Sequence, residues 1–235
     1  MIGQMNIKFK QFLYWVFPFL ALVHVFLRIL DLPVAVGLSK FFLMPALFIG
    51  IWEFKPARVR LVVPLTFAWI GDMAIVFDQI PNQVQALTIG LAAFTVTHGM
   101  YAFFSLKMLS QTTKELLKWP FLIAVPFCTG LVSFLLWPFI PHQDESISLL
   151  IAFYLLMLFS FLFIQVFVFF SKGANHHVFA GAMLFVLADL TLLFTRFLSD
   201  FSADRLLWIC LYLPAQWLIV RGFLKFLTYR TKSYQ

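Results

Sequence analysis

The chain has 235 residues, of which 63% are hydrophobic and 11% charged, with 32 Phe and a mean hydropathy of +0.95. Soluble domains are about half apolar and about one quarter charged, so the composition excludes a water-soluble enzyme or binding domain and implies an integral membrane protein. The net charge of +7 does not mark a nucleic-acid partner, because the basic residues are scattered through short segments between apolar runs.

Lys8 and Lys10 precede an apolar run that imitates a signal peptide. The run is of full length, lacks a small-x-small cleavage site and ends at Arg28-Ile29-Leu30-Asp31, so it reads as a first span. A bilayer-crossing helix needs about 20 apolar residues. That ruler predicts a single all-α domain over 1–235, with helices near 12–30, 33–52, 59–77, 85–106, 117–137, 147–170, 177–198 and 205–227. Turn chemistry separates them: Asp31-Leu32-Pro33, Glu53 to Pro56, Ile80-Pro81-Asn82, Pro138 to Glu145 and Lys172 to Asn175. Pro120 and Pro126 imply a kink or a late start in the fifth segment. Eight spans with both termini cytoplasmic put 13 of the 17 Lys and Arg residues on the inner side, as the positive-inside rule requires. Cys128 and Cys210 fall inside spans, where they read as small core residues rather than a disulfide framework.

The seventh segment, Gly181 to Phe197, carries Asp189 near its middle. A carboxylate there costs about 2.5–3.5 kcal/mol on insertion scales, which makes an intramembrane acid a candidate functional residue. Asp72, Lys40, His98 and Gln216 lie at similar depth in other spans. Helical spacing aligns Gly90, Phe94, His98 and Tyr101 on one stripe, Gly181, Phe185, Asp189 and Arg196 on a second, and Tyr212 with Gln216 on a third. These stripes are expected to converge on one water-accessible pocket. Plainer roles stay open for each residue. Asp72 can bridge to Lys40 and Asp189 can serve Arg196, while His98 and Gln216 can simply bond between helices. Gly71-Asp72 with Phe77 also echoes Ala188-Asp189 with Phe194, as a duplicated four-helix unit would. His176-His177 has no spaced third ligand, and HExxH, CxxC, Gly-x-Ser-x-Gly and phosphate-cradling loops are missing. No metal and no cofactor is called for.

Five pieces in order resemble the YhhN-like lysoplasmalogenase family: Lys40-Phe-Phe-Leu-Met44, Trp69-Ile-Gly-Asp72, Gly90-x3-Phe94-x3-His98-x2-Tyr101, Gly181-Ala-Met-Leu-Phe185-x3-Asp189 and Tyr212-x3-Gln216. The chain departs from the family where Phe41 replaces the usual Pro after Lys and Ala188 the usual Ser before Asp. The resemblance implies hydrolysis of the vinyl ether bond of lysoplasmalogens to a fatty aldehyde and a glycerophospho-amine. It implies a lysophospholipid partner taken from the bilayer. The short loops suggest a multi-pass protein of a bacterial cytoplasmic membrane, with an organelle membrane also open. Vinyl ether cleavage needs one carboxyl that donates a proton and a second group that activates water. Asp189 is expected as the acid and Asp72, helped by Lys40, as the ionised partner, with the reverse assignment open. His98 and Tyr101 would orient water or the ether oxygen, and Tyr212 and Gln216 would hold the glycerol. Arg196 is a supporting candidate. A transporter using the same intramembrane Asp, Lys and His cluster is the alternative class.

Overall fold

The computed structural model describes residues 7–52, 55–77, 84–112, 119–136, 145–170, 175–197 and 204–233. These form eight helices, α1 (Ile7–Ile29), α2 (Pro33–Trp52), α3 (Lys55–Phe77), α4 (Val84–Thr112), α5 (Trp119–Leu136), α6 (Glu145–Phe170), α7 (His176–Phe197) and α8 (Asp204–Ser233), with no strand among the described residues. Six of them, α2, α3, α4, α6, α7 and α8, are long and apolar enough to cross a membrane. Their outward faces carry large apolar side chains such as Phe42, Ile49, Phe103, Phe153 and Phe194, as a lipid-facing surface does. The chain is therefore an integral, multi-pass helical protein.

The helices match the expected segments in number and order. Four overrun them by a turn or more: α1 starts at Ile7 and α3 at Lys55, and α4 and α8 continue to Thr112 and Ser233. The extra turns carry Lys8, Lys10, Lys55, Arg58, Lys107, Arg230 and Lys232. Hydropathy measures the thickness of the lipid, whereas a helix can continue past the headgroups in water. α5 starts late, with Pro120 in its first turn, where the missing N–H has no intrahelical partner to lose. The expected breaks at Glu53-Phe54, Ile80-Pro81-Asn82, Pro138 to Asp144 and Lys172 to Ala174 lie outside the described residues.

The break between α1 and α2 is sharp. Asp31 adopts a left-handed conformation (φ 51°). The amides of Asp31 and Leu32 return to the carbonyls of Arg28 and Leu27, closing a Schellman cap, and Pro33 opens the next helix. Beyond it, α1 packs on α2, α2 on α3 and α3 on α4, and α4 then packs on α6 rather than on α5. α6 leads to α7, α7 to α8, and α8 closes against α1, α2 and α3. α5 leans on α6 from outside this ring.

The cysteine expectation needs correcting. Cys210 is exposed on the outer face of α8 and Cys128 is half-buried, so neither is a core residue. The core is filled by larger side chains, among them Phe161, Phe185, Met44 and Leu47.

α7 and α8 pack most intimately, through glycine. A Cβ at Gly181 would stand 2.9 Å from the Ala215 carbonyl oxygen and 3.0 Å from the Ile219 nitrogen, both backbone atoms that cannot swing away. Gly181→Ala is therefore expected to cost about 1–3 kcal/mol through overpacking. Thermal unfolding in detergent checks this, and Gly130→Ala, at a position with open space around it, supplies the control.

Candidate active site

Two acids sit in the closed interior of the bundle. Asp72 is 1% and Asp189 2% exposed, and His98, Tyr101, Tyr154, Tyr212 and Gln216 are equally buried. The sequence reading expected a water-accessible pocket; among the described residues these side chains have almost no exposed surface. Lys40, at 6%, lies nearest the surface.

Asp72 stands where Gly71 lets α4 come close, for the ring of Phe94 lies directly against the Gly71 backbone. One carboxylate oxygen, Oδ1, faces the Lys40 ammonium of α2 at 3.7 Å. The other accepts a 2.9 Å hydrogen bond from the Tyr212 hydroxyl of α8. Gln216 donates to that same hydroxyl at 3.2 Å, and its carbonyl oxygen accepts from Tyr101 of α4 at 3.0 Å. A continuous line thus runs Lys40, Asp72, Tyr212, Gln216, Tyr101. Lys40 also lies 4.6 Å over the Trp208 ring, which stacks on Tyr212 at 5.0 Å. The aromatic face holds the ammonium where water is scarce.

Asp189 of α7 has a different setting. His98 Nε2 of α4 lies 3.2 Å from its Oδ2, close enough to pair but not aligned as a hydrogen bond. The Tyr154 hydroxyl of α6 bonds the same carboxyl. Asp189 thus has an imidazole and a phenol as its polar neighbours. Phe185 joins the two halves, its ring edge-on to His98 at 4.7 Å and to Tyr212 at 5.3 Å. Among the described residues, Asp72 Oδ1, Asp189 Oδ2 and His98 Nδ1 find no hydrogen-bond partner, so polar bonding capacity remains inside the core.

The partners follow one pattern. Asp72 on α3 takes one from the preceding helix, α2, and one from α8. Asp189 on α7 takes one from the preceding helix, α6, and one from α4. A shift of four helices turns each set into the other. It also aligns Phe94-x3-His98 with Trp208-x3-Tyr212, a likeness well beyond the short echo around the two acids.

Of the expected site residues, Lys40, Asp72, Tyr101, Tyr212 and Gln216 join one network, and His98 and Asp189 the adjoining one. The Arg196 side chain lies outside the described residues. Tyr154 was missed, although Tyr154, Leu158, Phe161 and Gln165 form a stripe at helical spacing, all of them buried. His24 was missed too; its Nδ1 lies 2.7 Å from the Ser39 hydroxyl, next to Lys40. Among the described residues no group of three His, Cys, Asp or Glu side chains could hold a metal.

One further contact fixes the Lys40–Asp72 geometry. Pro45 has no N–H, so the Phe41 carbonyl loses its helical partner. The Trp69 indole N–H reaches across from α3 and donates to that oxygen at 3.1 Å. α2 is thereby pinned to α3 beside Lys40 and one turn from Asp72.

A multi-pass membrane protein with two acids enclosed among helices is the class that this architecture defines. The chain belongs to the YhhN family, whose pattern matches residues 37–223, from the start of the Lys40 region to the end of the α8 stripe. No curated protein and no solved structure matches the chain.

The Trp69 contact has a specific consequence. Trp69→Phe leaves the Phe41 carbonyl without a donor and is expected to destabilise the protein by about 1–3 kcal/mol. Adding Pro45→Ala restores an in-helix N–H for that carbonyl and is expected to recover part of the loss. Unfolding curves of the single and double variants measure both effects.

Proposed function

We propose that the protein is a membrane lysoplasmalogenase, which hydrolyses the vinyl ether of a lysoplasmalogen to a fatty aldehyde and glycerophosphocholine or glycerophosphoethanolamine. The observation that carries this reading is the pairing of two buried carboxyls in unequal surroundings, one beside an ammonium and one beside an imidazole. Membership of the YhhN family supports the reading, since the resemblance implies that reaction class.

Asp189, paired with His98 and Tyr154, donates a proton to the alkene carbon remote from oxygen. The resulting oxocarbenium ion is attacked by water at the carbon that bears oxygen, and Asp72 accepts the proton that the water releases. The hemiacetal then collapses. Its hydroxyl proton returns to Asp189, the bond to the glycerol oxygen breaks, and that oxygen takes the proton held on Asp72. One water is consumed and both carboxyls regain their starting state. The same division between a donor and a water-activating carboxyl serves glycosidases, which also pass through oxocarbenium-like states. Lys40 keeps Asp72 in its ionised role by opposite charge across 3.7 Å. Tyr212 and Gln216 position Asp72 from the far side and supply hydroxyl and amide groups for the glycerol.

The reading includes eight spans in a bacterial cytoplasmic membrane, with both termini inside. Substrate enters from the lipid along the seam of α2 and α8, where Lys40 lies, since the alkenyl chain is already dissolved in the bilayer.

Purified protein given a lysoplasmalogen panel should release aldehyde. Asp72→Asn and Asp189→Asn should each lower turnover by about 10²–10⁴-fold, the range of a lost acid or base, while remaining folded in detergent. Near-normal turnover by both variants would refute the acid–base pair. Solute uptake into liposomes without aldehyde release would assign the core to a transporter.

A further inference from the structure

A second polar feature lies at the opposite depth from the acids. The start of α3, the last turns of α4 and the C-terminal third of α8 line a half-open cavity of about 320 Å³. Arg60 and Lys107 line it together with Phe104, Met108, Phe223 and Phe226. Arg60 sits at the start of the membrane-crossing part of α3, and Lys107 near the end of that of α4, so the cavity lies at headgroup level. No carboxylate among the described residues lines it. Lys107 rests over the Phe103 ring at 4.2 Å, a weak contact that an anion can displace.

We propose that this cavity is a binding site for the phosphate of an anionic phospholipid from the surrounding leaflet, separate from the acid core. Two cations with no acid among the described lining residues suit a phosphate anion. They offer nothing to the ammonium of a zwitterionic headgroup. The apolar half of the wall suits the glycerol and first acyl carbons, which inorganic phosphate lacks. Basic pockets between membrane helices bind anionic headgroups on this basis.

The cavity and the acids lie at different depths: the Arg60 and Asp72 backbones are twelve residues apart on one helix, about 18 Å. A lipid other than the one being cleaved is the proposed occupant, and the site stands whether or not the lysoplasmalogenase reading does.

Native mass spectrometry of the full chain in detergent tests this, with phosphatidylglycerol, phosphatidylcholine and inorganic phosphate as separate probes. Phosphatidylglycerol should be retained at least tenfold more strongly than phosphatidylcholine. Inorganic phosphate at millimolar concentration should not displace it. The double variant Arg60→Gln/Lys107→Gln should abolish the preference, and rising salt should weaken it in the wild-type protein, a readout that needs no variant to fold. Equal retention of the two lipids, or an unchanged preference in a folded double variant, would overturn the site. Displacement by inorganic phosphate would overturn its assignment to lipid.

Discussion

The ammonium–carboxylate pair of Lys40 and Asp72 is the constraint on which the rest of the bundle depends. Two charges withdrawn from water cost several kcal/mol each, and their attraction offsets this only where geometry is fixed and the remaining lone pairs are met. Here Tyr212, Gln216 and Tyr101 continue the bonding across α8 and α4, and the Trp208 ring shields the ammonium. Four helices, α2, α3, α4 and α8, are thereby committed to one arrangement. The Trp69 bond to the carbonyl freed by Pro45 holds the register between the first two. A proline that would weaken an isolated helix thus becomes a docking point for its neighbour.

The second acid extends this core instead of forming another. Phe185 touches the ring of His98 on one side and that of Tyr212 on the other, so the Asp189 and Asp72 networks share a wall. Each acid draws on its preceding helix and on a helix from the other half of the chain. That exchange ties the halves together and gives two like carboxyls unlike neighbours, an ammonium for one and an imidazole for the other. Unequal surroundings are what allow two acids to divide proton donation and water activation between them.

Much of this was legible in the sequence. Helix number and order follow from apolar length, and punctuation such as Asp31-Leu32-Pro33 marks the boundaries. The acids announced themselves because a charge in lipid is costly enough to stand out. Periodicity placed His98 and Tyr101 on one face of α4, where they are, but could not show that each serves a different acid. That depends on which helices pack together, and α4 packs on α6 rather than on the next helix in the chain. Tyr154 was hidden for the same reason: a tyrosine among Phe and Leu carries little polar signal until its helix is placed beside α7. The outward position of Cys210 was not legible either, since an apolar span reads alike on its lipid and core faces.

In the proposed mechanism Asp72 and Asp189 act as one unit. A double-mutant cycle on aldehyde release, using Asp72→Asn, Asp189→Asn and both together, tests it most directly. One shared reaction predicts that the double variant loses little more activity than the worse single variant. Losses that multiply across the two sites would mean that the carboxyls work independently and would contradict the account.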